Sequence, residues 1–197
     1  MRFPHNLVLL SALIAALSGC GGSASVPPIP KFAQTAFAFP GGKGGQLVSP
    51  GFDAVEGNLF KVSGSSDLRV TALGYEYVGP TQILGQTAIF DANDNVLAST
   101  VFTSSDTVAD GYYWRNINPI TLKAGQQYYI GSLHGTGDGY SYYWNTRTAT
   151  LPAGLTDLGT YFKDSSSFTV GNWAWGGGTS QYGPGEIRHY VGNFKLQ

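Results

Sequence analysis

The stretch LRVTALGYEYVGPTQILGQTAIFDANDNVLASTVFTSSDTVADGYYWRNINPITLKAGQQYYIGSL, residues 68–133, decides the fold. Short apolar runs alternate in it with turn residues, and no helical periodicity runs through it. Successive side chains of a strand point to opposite faces. Over residues 69–77 one face carries Leu73, Tyr75 and Tyr77, and the other Val70, Ala72 and Gly74. Both faces are apolar, so this strand is expected to be covered on both sides. Residues 87–91 and 96–103 read as a strand pair joined by Asp91-Ala92-Asn93-Asp94-Asn95. Asp and Asn tolerate left-handed backbone angles and bond their own backbone, which suits a hairpin connection. Residues 112–117 form a further strand, which Pro119 is expected to break because its ring removes a ladder donor. Residues 120–122 resume it, Lys123-Ala124-Gly125 turns, and residues 127–133 follow with Tyr129 and Leu133 on one face.

Short strands with turn signals every 8–12 residues or so point to a sandwich or barrel. The order of these segments resembles a bacterial exported module of unknown function, found in proteins that carry PEP-CTERM sorting tails. In that pattern a strand ends in Asp, here Asp91, and a following strand opens like Val96-Leu97-Ala98-Ser99. A later run resembles Pro119-Ile120-Thr121-Leu122-Lys123-Ala124-Gly125 with residues 128–131. The resemblance spans residues 58–134 and implies an all-β, antiparallel two-layer β-sandwich of jelly-roll type. The residues up to Gln197 contain no PEP-CTERM tail, a departure from the pattern.

Residues 1–19 read as a lipoprotein signal peptide. Arg2 supplies the positive start, and the apolar run 7–16 is broken only by Ser11. Ten residues are too few to span a bilayer, which needs about 20. Leu17-Ser18-Gly19-Cys20 resembles the bacterial lipobox, with the Cys20 thiol as the site of lipid attachment. Cys20 is also the one cysteine of the chain, so no intramolecular disulfide can form. Each buried lipid CH₂ contributes about 0.8 kcal/mol, and two or three chains hold a protein stably on a membrane. Gly21, in place of Asp at the second mature position, implies by resemblance to Gram-negative lipoproteins an outer-membrane destination.

Residues 20–45 are expected to form a flexible Gly- and Pro-rich tether, and residues 46–197 the β-sandwich domain. Within the tether, FAQTAFAFP (32–40) is aromatic enough for a first strand or a latch. Composition agrees with an all-β body: 28 Gly, 12 Tyr, 11 Phe and 4 Trp, with 1 Met. Of 11 Lys and Arg, Arg2 lies in the leader, leaving 10 against 12 Asp and Glu, a net charge of −2. That balance argues against nucleic acid, which needs a basic patch. It also argues against membrane binding by charge alone.

Residues fit for chemistry are sparse. Ser132 and His134 share one strand face, without an orienting third group. Two histidines and no free thiol in the mature chain do not make a zinc set. Asp91, Asn93, Asp94 and Asn95 put four oxygen-bearing side chains in five residues, a calcium candidate weighed against a plain polar turn. No other cofactor is expected. Glycoside hydrolysis needs two facing carboxylates, for which Glu76 and Glu186 are the candidates.

The aromatic clusters point further. Tyr112-Tyr113-Trp114, Tyr142-Tyr143-Trp144, Trp173, Trp175 and Tyr182 lie beside Gly-rich loops. Adjacent strand residues face opposite sides, so each cluster places a ring outward or into a second layer. Exposed rings flanked by Asp, Asn and Gln suit sugar stacking, whereas buried rings are ordinary core filling. Trp173 and Trp175 are the first choice for a glycan face, with Trp144, Tyr142 and Tyr182 behind them. The expected function is therefore a lipid-anchored, non-enzymatic envelope protein with a binding or structural role. The alternatives are an envelope polysaccharide hydrolase and an assembly lipoprotein.

Overall fold

A computed structural model of the chain describes residues 33–48, 54–79, 85–134, 142–144, 148–164, 180–182 and 190–197. These residues form strands and turns, with no helix among them. In chain order the strands are β1 (Gln34–Thr35), β2 (Gln46–Val48), β3 (Ala54–Val62), β4 (Leu68–Glu76), β5 (Gln86–Asp91), β6 (Val96–Val101) and β7 (Thr107–Ala109). They continue as β8 (Tyr112–Leu122), β9 (Gln127–His134), β10 (Tyr142–Trp144), β11 (Leu155–Asp164), β12 (Ser180–Tyr182) and β13 (Gly192–Leu196). One sheet has the order β1-β13-β4-β8-β7, the other β12-β11-β3-β9-β5-β6, and β10 pairs with β2. Every pairing is antiparallel.

Eight of these strands carry the topology: β1, β3, β4, β5, β6, β8, β9 and β13. The first pairs with the last, the second with the seventh, the third with the sixth and the fourth with the fifth. This is a long hairpin wound round itself, a jelly roll. The two four-stranded layers, β1-β13-β4-β8 and β3-β9-β5-β6, pack face to face; β11 and β12 extend the second beyond β3, and β7 extends the first beyond β8.

The residues between the layers explain why the winding is stable. Phe37, Phe60, Tyr75, Ile89, Ile130 and Phe194 are all fully buried in one cluster. The rings of Phe60 and Phe194, from opposite layers, lie 4.9 Å apart, and Phe37 meets Phe194 edge-on at 6.0 Å. Each such side chain contributes about 1.5–3 kcal/mol by leaving water. One end of the interior is polar. Thr87 and Ser132 share a hydrogen bond of 2.8 Å, and Thr87 also donates across the gap to the carbonyl of Gly74 at 3.2 Å. Asn58 donates to Thr160 at 3.2 Å. Glu56, on the same face of β3 as Asn58 and Phe60, is fully buried there.

Two expectations are corrected, for Pro119 and for where the body begins, and β11 adds a strand. Pro119 does not interrupt its strand: β8 runs from Tyr112 through Leu122. Ala72 faces Asn116 and Val70 faces Ile120, so the register shifts between them and Pro119 falls in the irregularity. A ladder donor is not demanded there. Residues 155–164, which lack clean alternation, form the ten-residue strand β11, irregular between Asp157 and Gly159. The body also begins before residue 46. β1 pairs with β13, Ala36 and Phe37 are fully buried, and the Asn193 carboxamide brackets the Phe37 backbone. Its Oδ1 accepts the Phe37 N–H at 3.1 Å, and its Nδ2 donates to the Phe37 carbonyl at 2.9 Å.

Candidate functional site

After Phe37 the chain leaves the sheet edge and crosses the outer face of the first layer as a strap. Gly42, Gly44 and Gly45 have φ of 76°, 65° and 84°, angles that favour glycine and let the chain loop away from the sheet. Between residues 40 and 46 every residue is exposed except one, Lys43. Its side chain drops like a peg onto the sheet. Nζ lies 2.5 Å from Glu76 Oε1 on β4 and donates to the Tyr190 carbonyl at 3.1 Å. It also sits 3.7 Å from the centre of the Tyr112 ring and 5.8 Å from that of Phe39. The Tyr112 hydroxyl donates to the same Tyr190 carbonyl at 2.8 Å. Burial pushes the Lys43 ammonium below its ordinary pKa, and the Glu76 carboxylate pushes back. Burial, with Glu76 adding to it, lifts the Tyr112 phenol well above its ordinary value.

The strap covers the outward rings of β8. Tyr112 and Trp114 pack with Ala72, Phe39 and Ala109. Trp114 donates from Nε1 to the Ala109 carbonyl at 2.9 Å, and the Lys195 ammonium lies 4.5 Å over its ring. Tyr113, between them, points into the main core. Of the two outcomes expected for this cluster, a ring turned outward or one set into a second layer, the second holds: all three residues are buried, with Tyr112 and Trp114 under the strap.

The strap is undercut on both sides. A groove of about 580 Å³ has Phe37, Phe39, Pro40, Leu151 and Pro152 as its apolar lining. Gln34, Thr35, Asp110 and Thr150 supply its polar groups, and Lys43 reaches it as well. A second hollow of about 320 Å³ opens against Lys43, Gly44, Gly45, Tyr77 and Gly111. Asp110, in the turn between β7 and β8, has an exposed carboxylate. It accepts from Thr35 at 3.4 Å and lies 3.6 Å from the Lys195 ammonium. Ala38 bridges Thr150, and further along β2 pairs with β10, Gln46 opposite Trp144 and Val48 opposite Tyr142. The segment after Phe37 thus runs antiparallel to the segment that carries Tyr142 and Trp144, with the groove beside it.

No family model, curated protein or solved structure matches the chain.

Several residues singled out in the sequence fall outside the described residues: Cys20, Trp173, Trp175 and Glu186. Tyr142, Trp144, Tyr182 and His134 are described by their backbone alone, in β10, β12 and β9. Ser132 is buried and bonded to Thr87. Glu76 serves Lys43. The strap was missed in the sequence because a lysine among glycines reads as loose, solvated chain. Only the place of Glu76 on an outward face, in a strand with no other acid, hinted at a basic partner.

Asp91, Asn93, Asp94 and Asn95 form the β5–β6 turn. Asp91 Oδ1 accepts the backbone N–H groups of Asn93 at 2.8 Å and Asn95 at 3.0 Å. Oδ2 accepts from the Asn95 carboxamide at 2.9 Å, and Asp94 takes a φ of 63°. Among the described residues no three His, Cys, Asp or Glu side chains converge. Burial raises the Asp91 pKa, but the bonds from Asn95 and Asn93 outweigh it, and the net shift is downward. An unfolded Asp titrates near about 3.9. The turn's contribution is therefore complete above that value and is lost as pH falls through the lower folded value. An acid titration followed by NMR is expected to shift the Asn93 and Asn95 amides together, with a midpoint below about 3.9. A midpoint at or above that value would contradict the bonding described.

Proposed function

We propose that the protein is a lipid-anchored module of the bacterial envelope, tethered through Cys20, whose jelly-roll body binds glycan without catalysis. The groove beside the strap carries this reading. It offers an apolar floor for the C–H face of a sugar ring. Gln34, Thr35, Asp110 and Thr150 stand ready for its hydroxyls. β10, the strand bearing Tyr142 and Trp144, is linked to this region through its pairing with β2. Trp173 and Trp175 belong to the same proposal as a second stacking pair. The groove's described lining holds one carboxylate, Asp110, where glycoside hydrolysis needs two. By this reading Gly21, in place of Asp at the second mature position, directs the protein to the outer membrane.

The test uses the full chain. Wild type is expected to incorporate labelled palmitate and the Cys20→Ser variant none. On a glycan array the Cys20→Ser protein is expected to bind. Asp110→Ala and Trp144→Ala should each weaken that binding about tenfold, the value of one good contact. Silence on the array, or full binding by both variants, removes the glycan reading. The assembly reading draws on one other observation. Val96, Val101 and Val108 are exposed on β6 and β7, the strands that end the two sheets on one side.

A further inference from the structure

We infer that the pocket holding Lys43 is a binding site for a primary ammonium group, filled at rest by the chain's own lysine and open to the ammonium of an amino sugar. The geometry is that of a cation cage. The Tyr112 ring supplies a negative face at 3.7 Å, the Glu76 carboxylate an opposite charge at 2.5 Å, and the Tyr190 carbonyl an acceptor at 3.1 Å. An ammonium is the one group that satisfies all three together. A hydroxyl would leave the carboxylate's charge uncompensated, and a guanidinium is a planar fork where the site presents a face and two oxygens.

The occupant is held unusually. Lys43 is the single buried residue of a strap whose neighbours are glycines and exposed residues. Nothing lies within 4 Å of where a side chain on Gly42 would begin. Withdrawing the peg therefore disturbs no other strap side chain between residues 40 and 46. Lys43 also lines both hollows, and the other walls of the cage, Glu76, Tyr112 and Tyr190, line neither, so the lysine side chain is what stands between the hollows and the cage. Asp110, on the groove rim, adds a second negative charge, partly offset by Lys195. A ring in the groove with its ammonium in the cage satisfies both sites at once. The sugar part of this inference rests on the glycan reading above; the cage does not.

Trypsin gives the direct readout, since the bond between Lys43 and Gly44 is cut only when the Lys43 side chain is out of its cage. Glucosamine should speed cleavage of that bond in the full chain, about tenfold when present at about ten times its dissociation constant. N-acetylglucosamine, the same ring without the charge, and sodium chloride at equal ionic strength should not. Equal rates with glucosamine and N-acetylglucosamine would overturn the inference. A second variant tests the cage alone. Lys43→Ala removes the fragment that propylammonium replaces, so propylammonium should raise that variant's melting midpoint. The rise should vanish in Lys43→Ala combined with Glu76→Gln. No rise above that given by sodium chloride would also overturn the inference. If these arms respond while the glycan array is silent, the cage stands and the glycan reading falls.

Discussion

The full chain with Gly57→Ala is expected not to reach a stable sandwich. Gly57 lies in β3, which pairs with β9 on one side and β11 on the other. A Cβ there would stand 1.8 Å from the carbonyl oxygen of Ile130 and 2.7 Å from the Cα of Gly131. Those atoms are backbone, in a strand itself held by β3 and β5. Neither neighbour can retreat without breaking a ladder. A substitution of this kind belongs with the exceptional losses of at least about 4 kcal/mol. Domains have about 5–15 kcal/mol in total. In a chain of this size the midpoint should fall by about 10 °C or more, if a transition survives. Gly125→Ala is the control. Its φ of 78° strains alanine, but nothing lies within 4 Å, so about 1–2 kcal/mol is expected. Circular dichroism melts decide it. If Gly57→Ala melts no lower than Gly125→Ala, the close approach of β3 and β9 is wrong.

The second large effect concerns the peg. Lys43→Met leaves Glu76 in a buried site without its ammonium, and Glu76→Leu leaves Lys43 likewise. Removing one partner of a buried pair costs about 3–5 kcal/mol. The double variant Lys43→Met with Glu76→Leu should recover most of that loss, because two apolar groups of similar volume leave no stranded charge. Recovery should fall short of complete. The methionine gives up the bond to the Tyr190 carbonyl and the attraction to the Tyr112 ring. Denaturant melts of the four proteins measure the coupling. Losses that simply add would show that Lys43 and Glu76 do not interact.

Much of the winding was legible. Residues 69–77 show apolar side chains on both faces, and β4 is covered on both: Leu73 and Tyr75 by the opposite layer, Ala72 by Trp114 and the strap. The Asp91 turn, the Gly125 turn and the shared face of Tyr129 and Leu133 stand as read. What alternation could not show was a strand whose inward positions are polar. Glu56 and Asn58 point inward from β3 and break its pattern. The irregularity at Asp157 hid β11 in the same way. The groove and its cage were out of reach for another reason. Gln34, Lys43, Glu76, Asp110, Thr150 and Tyr190 lie far apart along the chain and meet only once it is wound.

The place of β13 has a consequence for how the molecule comes into being. It lies between β1 and β4, so the five residues from Gly192 to Leu196 form an interior strand of their layer. Until those residues have emerged from the ribosome, β1 lacks the strand it pairs with and Phe37 the Asn193 carboxamide that brackets it. The strands from β1 to β12 are therefore all made before this layer can close. A nonsense codon anywhere before residue 192 would leave this layer open between β1 and β4.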